Sequence, residues 1–92
     1  MIEVPQTGYK LQVTIKSPVA TVYSGQAVAL TLFNSGGKFD VLPLHTNYIS
    51  LIKDAIIIYE TKDTQKEIKF EEGIAKVFEN IVDIFIGIKT LG

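Results

Sequence analysis

The feature that most constrains this chain is an alternation of apolar and polar residues with a period of two, reset every few positions by turn residues. In KLQVTIK, Leu11, Val13 and Ile15 alternate with Lys10, Gln12, Thr14 and Lys16. Successive side chains of an extended strand leave on opposite faces, so this spacing predicts a strand with one buried and one solvated face. VATVYSG reads as a second short strand, closed by Ser24–Gly25. QAVALTLFN repeats the alternation with Val28, Leu30 and Leu32 on one side. Its other side, Ala27, Ala29, Thr31 and Phe33, is unusually apolar for a solvated face. FDVLP follows the turn NSGG, KEIKF pairs Ile68 with Phe70, IAKVFE comes next, and IVDIFIGIK lines up Val82, Ile84, Ile86 and Ile88. Ser17–Pro18, the polar TKDTQ and Glu71–Gly73 are the remaining turn signals.

One segment fits two periods. Tyr48, Leu51, Ile52, Ala55, Ile56 and Tyr59 have helical spacing, with Asn47 placed to cap it. Ile49, Ile57 and Ile58 fall off that stripe, and three consecutive β-branched residues favour extended backbone. The segment is read as two strands with a turn at Lys53–Asp54. The sum is eight to ten short strands with no linker, repeat or low-complexity tract. This predicts an all-β antiparallel sandwich or barrel forming one domain over residues 1–92, with residues 1–9 as an N-terminal extension.

Composition narrows the function. A chain of 92 residues buries only roughly 60–65% of its unfolded surface, so its stability margin is thin. Yet 47% of the residues are hydrophobic, more than one small core needs, which predicts that a partner covers part of the apolar surface. The net charge is −1 and the nine basic residues are all lysines, which argues against nucleic-acid binding, where arginine and a basic face carry recognition. There is no cysteine, which excludes disulfides and thiolate metal sites. MIEVPQTGYK lacks the basic start and apolar core of a signal peptide, and the longest apolar run, Ala55 to Tyr59, is far shorter than the roughly 20 residues of a membrane helix.

Candidate chemistry is sparse. His45 is the only histidine, and Asp40 and Ser50 lie near it in sequence. A Ser–His–Asp triad needs geometry as well as residue types, and a metal site would need further ligands, so His45 reads as a loop or interface residue. Ser35–Gly37 lacks the Lys-Ser/Thr and the following helix of a phosphate loop and reads as a turn. Glu71–Glu72 reads as a solvated turn. No catalytic residue, cofactor site or metal site is assigned.

The segment GKFDVLPLHTNYISLI points to a family. Gly37, Phe39, Val41, Leu42, Pro43 and His45 stand in register with the Gly-Glu-Phe/Leu-Gly and Val/Ile-Leu/Tyr-Pro-Gly-His-Ala-Pro pattern of the epsilon subunit of F-type ATP synthases. LQVTIKSPVATVYSGQAVALTL resembles the opening of that family. EEGIAKVFENIVDIFI resembles its Gly-Gly-Phe/Ile-x-Glu-Val-x-x-Asn-x-Val-Thr-Val run, with Gly73, Val77 and Val82 in place. The likeness covers about residues 10 to 88. It implies a flattened sandwich of about ten strands, matching the N-terminal domain of that subunit. It also implies a non-catalytic rotor role: clamping the gamma subunit to the c ring, and so coupling proton or sodium movement to ATP synthesis. The implied location is peripheral, on the cytoplasmic face of the inner (plasma) membrane, with the membrane reached only through the complex.

Site expectations follow. By family position, Lys38, Leu44 and His45 face the c ring. The apolar residues on nominally solvated faces, Phe33, Ile57, Tyr59 and Phe85, are expected on one outer face, against gamma. The departures also matter. Leu44 replaces a glycine, Thr46–Asn47 replace Ala-Pro, and Lys38 replaces an acid. Leucine has no cheap access to positive φ, which predicts an altered local backbone at Leu44. Typical members continue into two C-terminal helices that can inhibit the motor or bind ATP. This chain ends at Gly92, which suits a short form or a truncated chain alike, and neither ATP binding nor inhibition is expected of it. The competing expectation is a free-standing β-sandwich protein-binding module unrelated to the motor.

Overall fold

A computed structural model describes residues 8–44 and 47–87. Among them there is no helix. The strands are β1 (Leu11–Lys16), β2 (Thr21–Ala27), β3 (Ala29–Asn34), β4 (Gly37–Val41), β5 (Tyr48–Tyr59), β6 (Gln65–Phe78) and β7 (Ile81–Ile86). They form one sheet in the order β2-β1-β7-β6-β5-β3-β4. Every neighbouring pair is antiparallel except β1 and β7, which run parallel from Gln12↔Ile81 to Lys16↔Phe85.

The sheet becomes a sandwich because its two longest strands bend together. β5 and β6 pair from Tyr48↔Val77 to Tyr59↔Gln65. Lys53 faces Glu72, but the next pair is Asp54↔Phe70, so Glu71 is the extra residue of a bulge. Asp54 meets the bulge with a φ of 72°. A bulge bends its strand and increases the local twist. Beyond it the hairpin passes from one layer to the other. The first layer holds β2, β1, β7, the C-terminal half of β6 and the N-terminal half of β5. The second holds β3, β4 and the other halves of β5 and β6. The two turns expected at Lys53–Asp54 and Glu71–Gly73 are therefore the two sides of one bulge, and the four short strands expected there are two long ones. β2 likewise continues through Ser24–Gly25, where Gly25 pairs with Val13. These mergers give seven strands rather than about ten. Polar residues at a bulge look like polar residues at a turn, because both are solvated.

The inward faces meet in one hydrophobic cluster. Leu11, Val13 and Ile15 of β1 join Leu30 and Leu32 of β3, Ile52, Ile56 and Ile58 of β5, Ala75 and Val77 of β6, and Val82, Ile84 and Ile86 of β7. Burying each of the larger aliphatic side chains contributes about 1.5–3 kcal/mol. The expected inward stripes are present, except that Val28 lies at the bend between β2 and β3, where its amide donates to the Tyr59 carbonyl. Ile88 and the expected extension at residues 1–7 lie outside the described residues.

Gly73 holds the bend closed. It faces Ile86 across the ladder, and a Cβ there would sit 2.5 Å from the Phe85 carbonyl oxygen. The Gly87 amide then donates to the Glu72 carbonyl at 3.0 Å. Only glycine lets β7 come this close to β6.

Candidate functional site

Strand alternation gives the sandwich two outer faces. On the second layer the outward residues are Ala29, Thr31 and Phe33 of β3, Lys38 and Asp40 of β4, and Ala55, Ile57 and Tyr59 of β5. The rows cross the strands in register: Lys38 beside Phe33, Asp40 beside Thr31 beside Ile57, and Ala29 beside Tyr59. This face covers itself. Thr31 is only 2% exposed. Its hydroxyl donates to Asp40 Oδ1 at 2.7 Å and lies 3.4 Å from the Tyr59 hydroxyl. Phe33, Ile57 and Tyr59 are half-buried around it.

The outer face of the first layer is open. Leu51, Ile74 and Phe85 form a row across β5, β6 and β7. Phe78 pairs with Ile81 further along the same face. Leu51 is 68% exposed, Ile49 65%, Phe78 50%, Ile81 48% and Phe85 43%. Beside Leu51, where the β3–β4 turn overhangs the bend, a groove of about 270 Å³ has Leu51, Ile52 and Ile74 on its apolar side and Asn34, Ser35 and Lys53 among its polar residues.

The four residues expected to share one face against gamma are thus divided. Phe33, Ile57 and Tyr59 are together on the second layer, and Phe85 is on the opposite face. Sequence reasoning missed Ile49, Leu51, Ile74, Phe78 and Ile81. The signal was present: YISLI and IVDIFI carry apolar residues on both phases of the alternation, as Ala27–Phe33 does.

The expected ring-facing residues lie along a free edge. Among the described residues β4 pairs only with β3 and ends the sheet. Lys38 is exposed at one end of β4, next to the β3–β4 turn, and Leu44 is 61% exposed beyond its other end. Lys38 and Leu44 mark the two ends of one edge. His45 lies outside the described residues. Leu44 has a φ of 63°, the left-handed conformation that glycine adopts freely and leucine only at a cost. A hydrogen bond explains this: the Leu44 amide donates to Asn80 Oδ1 at 2.7 Å.

The other candidates resolve into structural roles. The Gly36 amide donates to Asn34 Oδ1 at 2.8 Å and Gly37 has a φ of 119°, so Ser35–Gly37 is a hairpin turn whose amide is already engaged. Asp40 accepts from Thr31 on the outer face of β4, while the Ser50 hydroxyl donates to the Leu51 carbonyl on β5 in the other layer. Asp40 and Ser50 are not brought together. Tyr48 packs its ring edge-to-face on Phe39, centroids 5.9 Å apart. Burial pushes its phenol up to about 12.

Comparison with known proteins adds to this geometry. The sequence family described as "ATP synthase, Delta/Epsilon chain, beta-sandwich domain" matches residues 10–87. The ATP synthase epsilon chain of Helicobacter pylori (strain Shi470) is 32% identical over 74 residues, covering 80% of this chain and 60% of that protein. The ATP synthase epsilon chain of Sulfurimonas denitrificans is 31% identical over 78 residues, covering 84% of this chain and 60% of its own length. The chain thus spans about 60% of the length of these curated relatives. A chain in the cryo-EM structure of the Euglena gracilis mitochondrial ATP synthase (OSCP/F1/c-ring) superposes with a TM-score of 0.78 at 15% identity, covering 94% of this chain and 58% of that one. A chain from the Tetrahymena thermophila mitochondrial ATP synthase central stalk/c-ring gives 0.69 at 15% identity, covering 85% and 63%. At that identity the likeness is one of fold.

Proposed function

Because the chain belongs to the family of ATP synthase delta/epsilon-chain β-sandwich domains, we propose that it is a non-catalytic central-stalk subunit of an F-type ATP synthase. In this reading it joins the gamma subunit to the c ring and couples proton or sodium translocation to ATP synthesis. It is peripheral, at the cytoplasmic face of the inner (plasma) membrane, and reaches the membrane only through the complex.

The observation that carries the reading is the open apolar face of the first layer. Its rows Leu51–Ile74–Phe85 and Phe78–Ile81, with Lys76 and Asp83 between them, are additional to a core already filled by both layers, and several large apolar side chains exposed on one face usually mark a protein interface. We assign gamma to this face, centred on the row Leu51–Ile74–Phe85. Phe33, Ile57 and Tyr59 are second in line, because their own sheet already half-covers them. The β4 edge, from Lys38 to Leu44, is assigned to the polar loops of the c ring, and His45 is assigned there by its family position. The central-stalk and c-ring assemblies named among the fold relatives support the central-stalk reading as a whole; the edge assignment rests on family position.

Purification of the affinity-tagged chain from its native membranes in mild detergent tests the proposal. Recovery of gamma and c subunits by mass spectrometry is the expected result. Recovery without any ATP synthase subunit would overturn it in favour of a free-standing binding module.

A further inference from the structure

Two asparagines join the loop after β4 to the turn between β6 and β7. The Leu44 amide donates to Asn80 Oδ1 at 2.7 Å, and the Glu79 amide donates to Asn47 Oδ1 at 2.9 Å. The partners are 36 and 32 positions apart in the chain. Each bond runs from the backbone of one segment to a side chain of the other, so the two fasten the segments reciprocally. The turn is itself anchored, because the Asn80 carbonyl accepts from the Gln12 amide of β1 at 2.8 Å.

Three residues here have left-handed backbone without being glycine: Leu44 (φ 63°), Glu79 (φ 48°) and Asn80 (φ 68°). Asparagine tolerates that region, but leucine and glutamate do so at a cost. At Glu79 and Asn80 it is the geometry of the two-residue hairpin loop between the paired Phe78 and Ile81; at Leu44, outside any such loop, it persists because surrounding contacts over-determine it. The surface they hold contributes nothing to the core, since Leu44 is 61% exposed. What the two bonds determine is the direction in which the chain leaves the β4 edge.

We propose that Asn47 and Asn80 are positioning residues, a two-point latch that fixes how the β4 edge presents Leu44 to the c ring. The ring as partner rests on the reading of that edge given above; the latch itself rests on the two hydrogen bonds.

The test uses the full chain as Asn80→Gly and Asn80→Asp. Glycine keeps the left-handed turn accessible but removes the acceptor; aspartate restores an acceptor of the same length. In Asn80→Gly, amide hydrogen exchange at Leu44 should quicken roughly tenfold while Val77 and Val82 in the β6–β7 ladder stay protected. Retention on the detergent-solubilised ring should fall several-fold, and Asn80→Asp should recover both readouts. Unchanged exchange at Leu44 in Asn80→Gly, or no recovery in Asn80→Asp, would overturn the latch. If exchange behaves as expected while ring retention stays constant, the latch stands but its positioning role toward the ring is overturned, and with it the assignment of the edge. Loss of protection throughout the ladder would also overturn the proposal, because Asn80 would then be holding the sandwich rather than the loop. Asn47→Ala and Asn47→Asp, read at the Glu79 amide, repeat the test from the other side.

Discussion

The Tyr23 hydroxyl donates a 2.7 Å hydrogen bond to Glu60 Oε2, joining the outer strand of the first layer to the hairpin tip of the second. Lys66 Nζ stands 3.5 Å from the same carboxylate oxygen and 5.7 Å from the centre of the Tyr23 ring. Desolvation, and then the carboxylate as acceptor and as charge, push the Tyr23 phenol from 10.0 up to about 12. A raised value means that the folded protein holds this proton more tightly than the unfolded chain does. The contribution is therefore complete below pH 10 and is lost as pH rises through about 12. Ultraviolet titration should show two phenols, Tyr23 and Tyr48, ionising only near 12. Tyr23→Phe should leave one of them and lower stability by about 1 kcal/mol in urea denaturation at neutral pH.

Gly73→Ala should be costly. The new methyl would meet the Phe85 carbonyl at 2.5 Å, a backbone atom that cannot rotate away. Overpacking of this kind costs about 1–3 kcal/mol. Thermal denaturation should show the loss, and exchange at the Gly87 amide should rise with it.

Leu44→Gly should stabilise the fold. The left-handed conformation costs leucine about 1–2 kcal/mol, and glycine adopts it freely. Against this, glycine loses more chain entropy on folding, about 0.5–1 kcal/mol. The net expectation is a gain of about 0.5–1 kcal/mol, read as a higher urea midpoint with an unchanged slope.

Phe85→Asp and Leu51→Asp should each weaken binding of isolated gamma by roughly tenfold or more, the scale of a central interface residue. Both side chains are exposed, so far-ultraviolet circular dichroism should be unchanged. Ile57→Asp, on the opposite face, should leave gamma affinity within about threefold, the scale of a residue outside the energetic centre of an interface. Calorimetric titration with gamma decides between the faces: if the Ile57 variant loses affinity and the Phe85 variant does not, the assignment is reversed.

Lys38→Glu should alter ring retention by no more than about 1 kcal/mol, because Lys38 is solvated on a free edge. Raising salt should shrink the difference between the two proteins. A difference that survives high salt would mean that the lysine is buried at the contact.

The sequence was most legible where one strand face is solvated. In β1, Leu11, Val13 and Ile15 are fully buried while Gln12 and Lys16 are exposed, as the alternation predicts. It was least legible at the bend. Lys53–Asp54 and Glu71–Glu72 carry the chemistry of turns, and only their positions across the ladder make them a bulge. That pairing is non-local and leaves no mark in either segment alone. The site shows the same limit. Alternation says whether Ile57 or Phe85 points outward, and both do. Which layer each belongs to depends on the strand order, which places β7 beside β1 and β5 beside β3. Phe85 therefore could not be separated from Tyr59 by pattern.

The parallel pairing of β1 with β7 has a consequence in time. β1 is needed from the start, yet its partner on one side is the last strand described, so Leu11, Val13 and Ile15 lack half of their shelter until residues 81–86 exist. Pairings of such long sequence separation slow folding, to milliseconds–seconds in sandwich-like domains. During synthesis, the apolar side of the first hairpin is open to whatever else is nearby. Its outer strand is Thr21–Ala27, whose Tyr23 meets its Glu60 partner only once the β5 tip has been made. The strand order thus separates local from distant pairing: β3, β4 and β5 are contiguous in sequence and pair with one another, whereas β1 waits for β7.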